Sequence, residues 1–381
     1  MQEIGVIGPY ELHLFDSFDD AAQAWDSIVE PLSDCPFFRR GWLELWYSTI
    51  GSSNGSIPAI AALRSTSGRY VAVLPFCFRR RGSLRQLEWM GAGVTDYCGP
   101  LLETGIDFDQ AMLMTAARTV AGKLKCEIVC LERNPERIAG TAMPYIGPAF
   151  TECHYRSHSF SRIGNEGSDG TSLLSSKSRY NLRRAEKQLR ELGTVEYVVA
   201  DTADQACAFT TAMMEHKQRR YWTTGAHDIL SDPAFRSFYE RSCLSPEIPV
   251  HVSAILLDGV PIAEHWGLVD RDSLYVIMPT FDEESYGKYS IGSLLVIQLL
   301  KDSLHRGLGW VDFTIGDEEY KKRWCNEETR MFTLVFGTCM AGRAVALFRR
   351  SLALLKHGRW VSFLRKARKQ AVLVSRKLPG R

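Results

Sequence analysis

Tyr286-Gly287-Lys288-Tyr289-Ser290-Ile291-Gly292-Ser293-Leu294-Leu295 decides how this chain is read. It joins a series of strand-like runs to an apolar helix expected over 291–306, and it sets a glycine and small hydroxyl residues in that helix's first turn, beside Lys288. The first N–H groups of a helix have no partner within it and the helix dipole is positive there, so the pattern suits an anion. Gly292 would let such a group come close to the backbone. The competing reading makes Ser290 an ordinary N-cap and Gly292 a packing residue.

Working outward, 250–257, 262–269 and 273–280 read as strands, the first two joined by the hairpin signal Asp258-Gly259. A helix is expected over 173–192, with Leu182, Ala185, Leu189 and Leu192 on one side and Gly193 as its terminating glycine. A strand at 195–199 and helices at 202–221 and 233–243 follow. Downstream lie a short strand at 309–313, a helical turn at 317–324 and a last strand at 331–336. The first half carries strand-like runs at 59–63, 70–78 and 127–131 and a helix at 109–124. Strands alternating with helices predict an α/β (α+β layered) fold. Length predicts two domains, placed at 1–165 and 172–338 around the polar, glycine-rich stretch 164–172, with a basic helical tail at 342–381.

Two clusters offer chemistry. Asp312 ends a short strand, Gly316 permits a sharp turn, and Asp317, Tyr320 and Lys321 follow, so a carboxylate, a phenol and an ammonium fall within ten residues and can hold a hydroxyl substrate or shift one another's pKa. Glu264-His265-Trp266 lies mid-strand, where alternation puts Glu264 and Trp266 on one face and His265 on the other. An ionisable group there is costly to bury unpaired, which makes Glu264 or His265 a candidate general base. Solvated or capping side chains in the first cluster and a hydrogen-bonded structural histidine in the second are the plainer alternatives.

The ten cysteines are dispersed without a C-x-x-C, so reduced thiols and no metal are expected. The start lacks a secretory pattern and no run of 18 apolar residues occurs, which predicts a cytoplasmic protein without a spanning helix. There is no G-x-S-x-G and no phosphate-binding G-x-x-x-x-G-K-[ST]. Twelve of the 46 Lys/Arg and none of the 44 Asp/Glu lie from Met331 onward, so an acidic body ends in a strongly basic tail. In that tail leucines, Trp360 and Phe363 interleave with the cations, a composition suited to an anionic membrane surface or an acidic partner.

Three ordered motifs carry a resemblance: Lys177-Ser178-Arg179-Tyr180-Asn181-Leu182-Arg183-Arg184; Phe281-Asp282 through Tyr289-Ser290-Ile291-Gly292; and Asp312-Phe313-x-x-Gly316-Asp317-x-x-Tyr320-Lys321-x-x-Trp324. Residues 172–337 resemble the CelD-like GNAT acyltransferases of bacterial cellulose and exopolysaccharide clusters, related to FemAB-like proteins with duplicated GNAT folds. The first half resembles them more loosely, through Phe37-Phe38-x-x-x-Trp42-Leu43-x-x-Trp46 and Asp96-Tyr97. The chain departs from the family's Tyr-Asp at Phe281-Asp282 and from its Ser-Pro-Gly at Ser290-Ile291-Gly292.

The resemblance implies tandem GNAT-like domains, the first degenerate, and acetyl-CoA or another acyl-CoA as donor. The donor's pyrophosphate would lie at Ser290, Gly292 and Ser293 near Lys288, and its thioester beside Ile277, Met278 and Pro279. An amine or hydroxyl of a sugar or envelope-polymer precursor would accept the acyl group. Arg179, Arg183, Arg184 and Asp317 are the substrate-binding candidates, and Glu264, His265, Asp312, Tyr320 and Lys321 the catalytic ones. FemAB-like aminoacyl transfer from charged tRNA and a non-catalytic scaffold in exopolysaccharide synthesis remain alternatives. No other nucleic-acid partner is expected.

Overall fold

The computed structural model describes residues 2–33, 35–164, 167–316 and 318–356. They form two units of mixed α/β structure: unit 1 is Met1–Arg156 with Thr329–Gly358, and unit 2 is centred on Ser157–Glu328.

In unit 1 the strands Gln2–Ile7, Tyr10–Phe15, Ile57–Arg64, Tyr70–Arg81 and Leu84–Trp89 follow one another as antiparallel neighbours. A crossover through the helix Gln110–Lys123 then brings Ile128–Pro135 parallel to Leu84–Trp89, in register only at Gln86–Ile128 and Leu87–Val129. The strand at 331–336, expected to close the second half, pairs instead with Ile128–Pro135 of this unit. The aromatic motif of the first half is core: Phe37 packs edge-on against Trp42 and Tyr97, while the Trp42 and Trp46 indoles donate to Thr95 Oγ1 and the Ala92 carbonyl.

Unit 2 is built on β1 (Val195–Val199), β2 (Val250–Leu257), β3 (Val260–Asp270), β4 (Ser273–Phe281) and β5 (Trp310–Ile315). Its helices are α1 (Ser176–Arg190), α2 (Ala203–Thr224), α3 (Pro233–Ser242), α4 (Ile291–His305) and α5 (Glu319–Trp324). Neighbours β1 to β4 are antiparallel, and β4 with β5 is parallel. Asp258 and Gly259, both at positive φ, make the β2–β3 turn as the sequence predicts.

Alternation along β3 sorts the two faces. Glu264 meets His216 of α2 on one side, while on the other His265 meets His251, which bonds Asp302 of α4. The α4 face is an apolar layer, with Leu182 and Leu189 of α1 and Leu294, Leu295, Leu299 and Leu300 of α4 packed on Ile262, Leu274, Val276, Val311 and Phe313. Arg162, 4% exposed, pins the far end of α4. Its guanidinium donates to the Leu300, Leu308 and Ser168 carbonyls and to Ser303 Oγ at 2.7–2.9 Å.

Candidate active site

β4 and β5 start as partners and then part. They are in register at Ser273–Trp310, Leu274–Val311 and Tyr275–Asp312 and no further. The cause lies in both strands. On β4 the register against β3 steps from Val276–Gly267 to Met278–Trp266, leaving Ile277 as an extra, bulged residue, and a bulge bends and twists its strand. Gly267 makes room for this, since a Cβ there would stand 2.1 Å from the Tyr275 carbonyl. On β5 the Asp312 carboxylate accepts from the Thr314 N–H at 2.7 Å and holds Thr314 at φ 57°, and Gly316 follows at φ 138°. A strand so curled cannot continue alongside β4.

Beyond the fork lies a cavity of about 250 Å³, lined by Pro279 and Phe281 of β4, the opening of α4 from Ser290 to Ser293, Tyr320 and Trp324 of α5, and Arg220 of α2. Ser290 does not cap α4: it sits in the left-handed region at φ 54° and its side chain makes no capping bond. By contrast α1, α2 and α3 are capped by Ser175, Thr202 and Asp232. The N–H groups of Ile291 and Gly292 therefore open α4 without a side-chain acceptor, at the positive end of its dipole. Phe281 lies against Gly292, and the Arg220 guanidinium stacks 5.4 Å above the Phe281 ring. The cavity thus holds unclaimed N–H donors at the start of α4 and the Arg220 cation, with the Phe281 ring filling the side of Gly292.

Of the cofactor-binding candidates, Pro279, Ser290, Gly292 and Ser293 line this cavity. Ile277 is the bulge, and Met278 is buried across from Trp266. Lys288 is exposed, its ammonium 5.0 Å from the Tyr289 ring centre. Among the catalytic candidates Tyr320 reaches the cavity, and burial raises its phenol pKa, so it stays protonated. Lys321, 5% exposed, turns to the Ile315 carbonyl at 2.7 Å and to Glu318 at 3.2 Å. Asp312 is spent on the β5 curl.

Glu264 and His265 are both fully buried and neither lines the cavity. Burial raises the Glu264 carboxyl, opposed by the 2.8 Å bond to His216 Nδ1. Burial, aided by His251, drives the His265 pKa well down and keeps that ring neutral. Arg179 and Arg183 line a separate groove of about 190 Å³ with Asp169, Glu186 and Lys301, Arg184 is exposed, and Asp317 lies outside the described residues. Among the described residues no three His, Cys, Asp or Glu side chains gather as metal ligands.

Two residues of this region carry no sequence motif. Arg220 enters the cavity from a helix far away in sequence. Lys217, one turn before it, is held by burial, and then by the like charge of Arg220, at a pKa of about 8. The only available signal was Lys217-Gln218-Arg219-Arg220, which reads as a solvated helix face.

Residues 176–322, which hold the forked parallel pair and the open helix start, match the family model of the acetyltransferase (GNAT) domain. The C-terminal domain (DUF2156) of a protein assigned as a lysylphosphatidylglycerol synthetase, from Agrobacterium fabrum, aligns over 87% of this chain and 95% of its own, at 12% identity and a TM-score of 0.52. FemX aligns over 84% and 96%, at 10% identity and 0.51. A tandem GNAT protein of clavulanic acid biosynthesis aligns over 85% and 98%, at 11% and 0.43. The first two likenesses bear on the fold alone. No curated protein sequence matches the chain.

Proposed function

We propose that unit 2 transfers an acyl group, acetyl or longer, from acyl-CoA to an amine or hydroxyl of a sugar or other polysaccharide or envelope precursor in the cytoplasm. One observation carries the donor: the uncapped start of α4, on the wall of a cavity at the β4–β5 fork. In this reading the pyrophosphate sits on the 291–293 backbone with Arg220 as counter-charge, and Pro279 and the Ile277 bulge flank the thioester arm. The acceptor attacks the thioester carbonyl, the C–S bond breaks, Tyr320, kept protonated by burial, gives its proton to the leaving thiolate, and the proton shed by the acceptor returns to the Tyr320 oxygen. Lys321 and Asp312 shape the turn that leads from β5 to Tyr320 on α5. Glu264 and His265 set the β3 core in our reading and touch the reaction through β4 alone. The sugar acceptor rests on the motif resemblance.

Calorimetric titration of acetyl-CoA and longer acyl-CoAs into the protein and its Gly292→Glu variant tests this. Binding that the variant loses is expected, and a wild-type chain that takes up no acyl-CoA refutes it. The basic groups Lys217 and Arg220 also favour a second reading, aminoacyl transfer from tRNA. It calls for tRNA binding that falls steeply with salt where CoA binding is absent.

For the tail we propose an anionic membrane surface as partner. The helix Met340–Lys356 exposes Met340, Leu347 and Phe348, and twelve cations and no acid lie from Met331 to the end. No helix among the described residues is long and apolar enough to cross a membrane. Equal sedimentation of the full chain with phosphatidylglycerol and phosphatidylcholine vesicles would end that idea.

A further inference from the structure

Unit 1 holds a cavity of about 350 Å³ that the acyl-transfer reading does not use. Glu132, Cys153, Tyr155, Thr333, Arg349 and Arg350 line it, and its size is in the range of small-molecule sites.

Its polar groups divide into those that satisfy one another and those that do not. Cys153 Sγ and Thr333 Oγ1 are 3.3 Å apart. Burial raises the Cys153 thiol and the Tyr155 phenol, so both stay neutral. Glu152, also on the wall, is tied to Arg156 at 3.2 Å and Arg330 at 3.8 Å. Arg349 donates to Gln86 Oε1 at 2.7 Å.

Two charges remain under-used. Arg350 spends one Nη on the Ala149 carbonyl at 2.8 Å, and its Nε is buried with no acceptor. Glu132 has no cation at salt-bridge distance among the described residues. Glu132 and Arg350 line the same cavity. A guanidinium takes a carboxylate through charge-assisted hydrogen bonds, stronger than those between neutral groups.

We infer that this cavity binds a small ampholyte, a free amino acid or the end of a short peptide, with its carboxylate on Arg350 and its ammonium on Glu132. The charged pair sets recognition of the two termini, and the neutral wall of Cys130, Cys153 and Thr333 admits a side chain.

The test is calorimetry and thermal shift on the full chain with a panel of L-amino acids and dipeptides, and with acetate and ethylamine as single-charge controls. At least one ampholyte is expected to bind and the controls not to. Glu132→Gln and Arg350→Met should each weaken binding about tenfold or more, a loss of ~1.4 kcal/mol. Thr333→Trp, which fills the space, should abolish it, with circular dichroism confirming the fold. Should Arg350→Met fail to fold, Glu132→Gln on its exposed side chain still decides. The Gly292→Glu chain should bind the ampholyte as wild type does. No binding by any member of the panel, or binding that survives both Glu132→Gln and Thr333→Trp, overturns the assignment.

Discussion

Phe281 and Gly292 occupy one another's space: a Cβ on residue 292 would stand 2.6 Å from Phe281 Cε1. The glycine is thus fixed by a packed ring as well as by any ligand. Gly292→Ala must push that ring, and the Arg220 stacked on it, aside. A loss of about 1–3 kcal/mol is expected, the usual range for overpacking. Phe281→Ala removes the obstacle, so the same substitution should cost little in that background. Urea unfolding of the four chains gives the coupling, and additivity within about 0.5 kcal/mol would show that the contact does not matter.

Lys217 should make stability depend on alkaline pH. Its pKa of about 8 lies below the ordinary 10.5, so the unfolded chain holds this proton more tightly than the folded one. Stability then rises as pH passes from about 8 toward 10.5, and below 8 the folded state bears the full cost of a buried cation. Lys217→Met is expected to stabilise the neutral-pH protein by roughly 1–2 kcal/mol, allowing for solvent access. That gain should vanish in strongly alkaline buffer. A gain independent of pH would point to packing.

Arg162 is expected to be the costliest single cation to remove. It serves four acceptors from inside the unit, and Arg162→Met takes this donor from the Leu308 and Ser168 carbonyls, so a loss of about 1–3 kcal/mol should appear in denaturant titration. Arg162→Lys should restore little of it, because one ammonium cannot span that fork. A mild loss in either chain would contradict the pinning role.

The helix Gln110–Lys123 of unit 1 connects the same kind of parallel pair, but its start is capped. Asp109 caps it by accepting from the Met112 N–H, and the Trp89 indole bonds Asn134 across the two strands that part there. Asp109→Ala should cost about 1 kcal/mol, as cap losses do, and leave acyl-CoA affinity unchanged. A change in that affinity would move the donor to unit 1.

Local pattern in the sequence was enough for the element order of unit 2, the Asp258-Gly259 turn, the opposed faces of Glu264 and His265, and the helix that opens beside Gly292. Each depends on residues a few positions apart, where periodicity and turn chemistry act. The tertiary structure alone decided which of these groups meet. Tyr320 turns into the cavity while its neighbour Lys321 turns to Ile315, and Asp312 is consumed in bending β5. The bulge at Ile277, the Phe281 ring over Gly292, the entry of Arg220, and the pairing of 331–336 with Ile128–Pro135 all join segments far apart along the chain. Such contacts are fixed by register and by the filling of shared volume, and no local spacing encodes either.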